Sequence, residues 1–179
     1  MKVLILVFLM TVPVLSYGQG KRKGSDPSFI KGVRFSVAIV GSRRFGRGSS
    51  IPVKFRFKNT NKSRVYFYKH LGFGMGGFRI TILDANNKWV RRNSIAENFP
   101  PGTFTKEDFQ AIEPGKVFED QFTINLNFYE IEPGDYSLIV SFLSPVPGER
   151  DVPNGLRVLT SDDLFEVKPI KFKVVRNVL

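Results

Sequence analysis

The residues able to do chemistry are few, and their types exclude more than they suggest. His70 is the sole histidine and cysteine is absent. Zinc sites draw their ligands mainly from those two residue types, so a histidine- or thiolate-based metal centre is excluded. A serine or cysteine triad lacks its base unless His70 supplies it, and no segment fits a nucleophile elbow. Carboxylates come in pairs, Glu119-Asp120, Asp162-Asp163, and Glu130 with Glu132. A glycosidase needs two of them about 5–10 Å apart in a cleft, which spacing along a chain does not supply. Asp162-Asp163 could offer oxygens to calcium, but just ahead of a strand it reads better as a solvated turn. Gly72-Phe-Gly-Met-Gly-Gly77 satisfies G-x-G-x-x-G. The strand-like Phe78-Arg-Ile-Thr-Ile82 follows it, where pyrophosphate binding needs a helix N-terminus. The segment is read as a loop between strands, with Phe73 exposed or tucked over the end of the fold.

What remains is a binding pattern. Arg64, Tyr66, Tyr68 and His70 alternate along one face of an extended segment, and Arg79, Trp89, Arg91 and Arg92 are expected close by across the next hairpin. Cations interleaved with rings can hold a sugar polymer or single-stranded nucleic acid, and the export signal argues against the second. The competing reading is an ordinary outer sheet face, with long arginine stems lying over the rings. The formal net charge of +11 points to anionic surface polymers, anionic lipid headgroups or acidic partners; the competing reading is a soluble surface that happens to be basic, with much of the charge spread along strand faces. Nucleic acid is not expected, and no cofactor is implied.

The elements that must position these residues are strands. Val33, Phe35, Val37 and Ile39 alternate with polar or small residues, as do Ile51, Val53, Phe55 and Phe57 with Lys54, Arg56 and Lys58. Period-two alternation marks half-buried strands. Residues 41–50 read as an arginine-rich loop and Asn59–Ser63 as turn chemistry. Arg64–His70 and Phe78–Leu83 read as strands, with Asp84–Asn87 turning into a partner at Lys88–Arg92. The Pro100-Pro101-Gly102 run excludes regular structure, and a helical turn capped by Thr105 follows it. Phe118–Phe128 is extended, with Asp120 on the inward side, which calls for a later start or a bulge. Tyr136, Leu138, Val140 and Phe142 form a strand apolar enough on both faces to be central. Residues 144–163 read as a long loop, and 165–175 as the last strand, with Pro169 at a bulge or edge position. Ile112-Glu-Pro-Gly115 and Ile131-Glu-Pro-Gly134 repeat one tetrapeptide. Both are expected to be type II turns, each feeding a strand that crosses between sheets.

No stretch shows helical periodicity, and seven to nine short strands argue an all-β antiparallel sandwich. Gly134-Asp-Tyr-Ser-Leu138 resembles the tyrosine corner of immunoglobulin-like sandwiches, whose tyrosine hydroxyl bonds back to the chain upstream. The order of Asn59-Thr60, an aromatic strand, Ile82-Leu-Asp-Ala-Asn-Asn-Lys-Trp89 and Ile112-Glu-Pro-Gly115 is similar to bacterial intracellular proteinase inhibitor domains. Asn86-Asn87 stands where that family has glycine. Phe128–Tyr136 also resembles the N-terminal sandwich of deuterolysin-like metalloproteases, whose catalytic His-Glu-x-x-His is missing here.

Met1-Lys2, an apolar run over Val3–Val14 and Ser16-Tyr17-Gly18 describe a secretory signal peptide over 1–18. The apolar run falls short of the roughly 20 residues that a membrane-spanning helix needs. A basic leader at 19–28 and a single domain at 29–179 would follow. The expectation is therefore an exported module, periplasmic or extracellular, that binds a protein or an anionic surface polymer and catalyses nothing. The alternatives are a proteinase inhibitor acting through Gly72–Gly77 or Ser144–Asn154, and an enzyme of unrecognised type.

Overall fold

The computed structural model describes residues 28–69, 77–93, 104–146, 148, 152–153 and 155–176. The signal segment, the leader to residue 27, His70, Phe73 and Pro100-Pro101-Gly102 lie outside the described residues. Among those described, eleven strands, against the seven to nine expected from sequence, and two single 3-10 turns make an all-β sandwich of the immunoglobulin-like kind, its strand ladders antiparallel save for the short parallel pairing of β3 (Arg44–Gly46) with β11 (Ile170–Val175).

Sheet one joins β1 (Phe29–Ile30), β2 (Val33–Ile39), β4 (Ser50–Asn59) and β8 (Val117–Asn125), in that order and all antiparallel. The alternation in β4 does what its sequence indicates: Ile51, Val53, Phe55 and Phe57 are buried, while Arg56 and Lys58 face water. Asp120 sits opposite Phe55 in an unbroken register yet is exposed, so no bulge is needed. Nothing described pairs with the far side of β8, and an inward-pointing charge on an edge strand discourages edge-to-edge pairing.

Sheet two is centred on β9 (Gly134–Leu143). One of its edges carries β6 (Phe78–Asp84); the other carries β10 (Leu164–Glu166) and then β11 (Ile170–Val175). The single last strand expected from sequence is thus divided. Glu166 faces Ser141 and Ile170 faces Leu138, so four steps on one chain match three on the other. That is one extra residue, a β-bulge, and it falls at Pro169, which has no N–H to give to a ladder. β3 (Arg44–Gly46) adds parallel to β11, inside a segment that sequence reads as loop. The chain from β2 to β4 therefore leaves sheet one, touches sheet two and returns.

Phenylalanines fill the space between the sheets. Phe57 stacks on Phe35 at 4.9 Å and meets Phe142 edge-on at 4.9 Å, and Phe55 lies tilted 4.7 Å from Phe78, a mix of stacked and edge contacts that suits ring quadrupoles. The tyrosine corner is present. The Tyr136 hydroxyl donates to the Glu132 carbonyl at 2.7 Å and accepts from the Glu132 N–H at 3.2 Å.

The twin tetrapeptides differ. Gly115 has φ 72° and the Lys116 N–H bonds to the Glu113 carbonyl, a type II turn. Gly134 is not among the positive-φ glycines; it opens β9 with the Tyr136 ring 3.6 Å from where a Cβ would stand. The second turn is thus set by the tyrosine corner rather than by glycine's left-handed freedom.

Candidate binding surfaces

The expected ring-and-cation face around β5 (Val65–Tyr68) does not assemble among the described residues. β5 pairs with β7 (Phe109–Ile112), not with β6, so Arg79 and Trp89 belong to a different sheet from Tyr66 and Tyr68. The long 144–163 segment folds back over β5. Tyr66 bridges Val158, its N–H bonds to the Arg157 carbonyl, and the Leu159 N–H bonds to the Tyr66 carbonyl. Tyr68, only 2% exposed, packs with Phe109, Val146 and Val158 in a second apolar cluster, with Tyr66 half-buried beside it. Burial, with the Asp108 charge adding, pushes the Tyr68 hydroxyl above the usual tyrosine range. At the start of β5, Arg64 points to water and pairs with Glu113 at 2.7 Å.

Asp163 corrects another expectation. Its carboxylate is almost fully buried; it accepts from the Thr160 N–H at 2.9 Å and pairs with Lys31 at 2.9 Å. It fastens the end of the long segment to the β1–β2 turn, where a solvated turn or calcium ligand was expected. No group of three or more potential metal-ligating side chains occurs among the described residues.

Trp89, Arg79, Arg91 and Arg92 lie on or beside sheet two. Asp84 accepts from the backbone N–H groups of Asn86 and Lys88, and Asn87 takes φ 59°, so the chain reverses tightly after β6. The reversal pairs Leu83 with Trp89, while Val90 packs towards the core. Trp89 is 83% exposed. From it a row crosses the solvent face of sheet two through Leu83 and Ser137 to Lys171. Three spacings between neighbouring strands make that row about 14 Å long. Lys173 and Arg44 face each other one row further on, and Arg79 stands on the same face opposite Ser141.

No described carboxylate pairs with Arg43, Arg44, Arg79 or Lys171; Lys173 reaches Asp135 at 3.7 Å. Where β3, β11, β9 and the 84–88 turn meet, a groove of ≈ 700 Å³ opens among Arg43, Arg44, Lys171 and Lys173, with Asp84 and Asp135 also in its wall. Arg44 and Lys171 in this set escape sequence reading, because only the pairing of β3 with β11 brings them together. Arg91 pairs with Glu130 at 3.7 Å. Arg92 lies over the Tyr129 ring at 6.0 Å with its Nε buried, so packing holds it more than solvent does.

No protein-family model and no curated protein matches the chain. Among solved structures it is similar to a β-glucosidase from Listeria innocua, at 11% identity and TM-score 0.38 over 82% of this chain. It is also similar to alpha-2-macroglobulin from Escherichia coli spanning domain MG7 to the C-terminus, at 10% identity and TM-score 0.40 over 85% of this chain. A third is the β-glucosidase EmGH1 from Erythrobacter marinus, at 18% identity and TM-score 0.34 over 80% of this chain. The chain spans only 17%, 17% and 16% of those proteins. Similarity at that level does not extend their activities to it.

Proposed function

We propose that this chain is an exported, non-catalytic interaction module that holds an anionic surface polymer on the solvent face of sheet two. One observation carries the reading: a tryptophan 83% exposed to water stands in register with Lys171, on a sheet face where no described carboxylate pairs with Lys171, Arg44 or Arg79. An indole of that exposure gains nothing from the core, but it offers a flat apolar platform for a sugar ring. Arg44, Lys171 and Arg79 are placed at strand spacings to meet acidic groups further along the same chain. Long-range attraction by such a face speeds encounter and weakens with salt. Export rests on the signal-like Met1–Gly18. No helix among the described residues is long and apolar enough to cross a membrane.

The test uses dextran sulfate as the anionic probe and neutral dextran as its control. Trp89 is the only tryptophan, so its emission reports on the platform directly. Saturable change in that emission with dextran sulfate, weakening as salt rises, is expected, and Arg79→Ala with Lys171→Ala should weaken binding further. Equal response to neutral dextran, or binding indifferent to those two substitutions, would remove the proposal.

A further inference from the structure

The solvent face of sheet one carries a separate feature that the polymer reading does not use. A row crosses all four strands: Phe29 faces Arg34, Arg34 faces Lys58, and Lys58 faces Val117. Arg34 and Lys58 are like charges directly opposite each other, an arrangement that destabilises a sheet. Neither has a described carboxylate partner. Arg34 lies over the Phe29 ring at 5.8 Å, so its charge is held towards that end of the row. Phe29 and Val117, at the two ends, are each 40% exposed. Further along the face, Lys54 and Arg56 share the single carboxylate of Glu119 at 2.8 and 2.9 Å. The Lys54 hydrogen bond, helped by the charges of Lys54 and Arg56, holds Glu119 below the usual carboxylate range. Four cations against one anion thus lie on a sheet face whose rim is apolar at both ends.

We infer that this face docks on a bilayer rich in anionic lipid. The charge complements a layer of phosphates, which would relieve the Arg34–Lys58 repulsion. Phe29 and Val117 are placed to enter the headgroup region on either side, and apolar insertion combined with basic charge is the pairing that reversible membrane attachment requires. A soluble linear polymer would use the cations but has no need of exposed apolar side chains at the rim.

The experiment is co-sedimentation of the protein with phosphatidylglycerol–phosphatidylcholine vesicles, against pure phosphatidylcholine vesicles. The protein should partition to the anionic vesicles. Arg34→Gln with Lys58→Gln should lower the partition coefficient about fivefold per charge, on the order of 25-fold together, from the usual worth of a cation at an anionic leaflet. Glu119→Gln should raise it. Removing the like-charge pair relieves strain, so that variant keeps its fold, which circular dichroism checks. Lys106→Gln with Lys168→Gln removes the same charge from exposed positions away from sheet one and should cost far less. The inference is overturned by equal partition to both vesicle types, or by equal losses in the two double variants. It is also overturned if dextran sulfate binding depends on Arg34 and Lys58 while vesicles do not bind. Trp89→Ala leaves vesicle binding intact if the two faces work separately, and equal loss in that variant would contradict the assignment to sheet one.

Discussion

Asn59 is fully buried at the end of β4 and makes more polar contacts than any other core side chain described. Its amide donates to the carbonyls of Ser63 at 2.9 Å and Ile112 at 2.8 Å. Its oxygen accepts from the backbone N–H of Asn61 at 2.9 Å and from the Asn61 side chain at 3.0 Å. It thereby ties the β4–β5 turn to β7 and, through the backbone bonds Asn59 N–H to Lys116 and Gly115 N–H to Asn59, to the turn into β8.

Asn59→Ala strands the two carbonyls and one N–H; the Asn61 side chain, part-exposed, can turn to water. At about 1 kcal/mol for each of the three, the loss is about 3 kcal/mol. For a domain of this size that lowers Tm by roughly 6–12 °C. Asn59→Asp is the sharper probe. A carboxylate there would face two carbonyl oxygens with nothing to donate, so its folded pKa rises above its unfolded value. Protons then bind the folded state more tightly, and stability falls as pH rises through and above the unfolded pKa. The Asp variant should be less stable than the Ala variant at pH 7 and recover towards pH 4, where a protonated carboxyl can donate one bond. Urea unfolding followed by far-ultraviolet circular dichroism measures both; emission from the exposed Trp89 would report the core poorly. A loss below about 0.5 kcal/mol for Asn59→Ala, or an Asp variant that gains stability with rising pH, would refute the reasoning.

Other substitutions test neighbouring parts of the account. Tyr136→Phe removes the corner hydroxyl and should cost about 1 kcal/mol in urea titrations; unchanged stability would count against the corner as a source of stability. Gly77→Ala should be severe, several kcal/mol or failure to fold, because Gly77 has φ 75° and a Cβ there would run into the Leu143 carbonyl. Asp163→Ala unpairs Lys31 and uncaps the Thr160 N–H; since Lys31 keeps 35% of its side chain in water, about 2 kcal/mol is expected rather than the larger cost of a fully buried broken pair, read from thermal melts.

Much of the architecture was legible because local pattern and tertiary role agree in β2, β4 and β9, where one alternating set of apolar residues is the buried set. Thr105 is legible for the same reason: its N–H and hydroxyl both bond to Asp108, which closes the short turn over Lys106–Asp108. Pairing was harder to read. β3 offers one buried apolar residue, Phe45, among arginines and glycines, and its ladder with β11 joins distant parts of the chain. Tyr66 and Tyr68 look like a solvent-facing stripe beside Arg64, since a tyrosine is as acceptable in a wet face as in a core. Only the return of Val146 and Val158 over β5 decides between the two. The repeated Glu-Pro-Gly shows the same limit at the smallest scale, one tetrapeptide taking two backbone conformations according to what packs on it.

The candidate surface was half legible. Trp89 and Arg79 stand out as residue types, but their companions Arg44 and Lys171 are ordinary surface cations until the register of sheet two aligns them. The most direct test of the account is an amide chemical-shift map of the protein titrated with dextran sulfate at low salt. The account predicts shifts concentrated at Arg44, Arg79, Leu83, Ser137, Lys171, Lys173 and the Trp89 indole N–H, fading as salt is raised. Shifts centred on β5 and the 152–158 segment, or scattered over every basic residue alike, would contradict it.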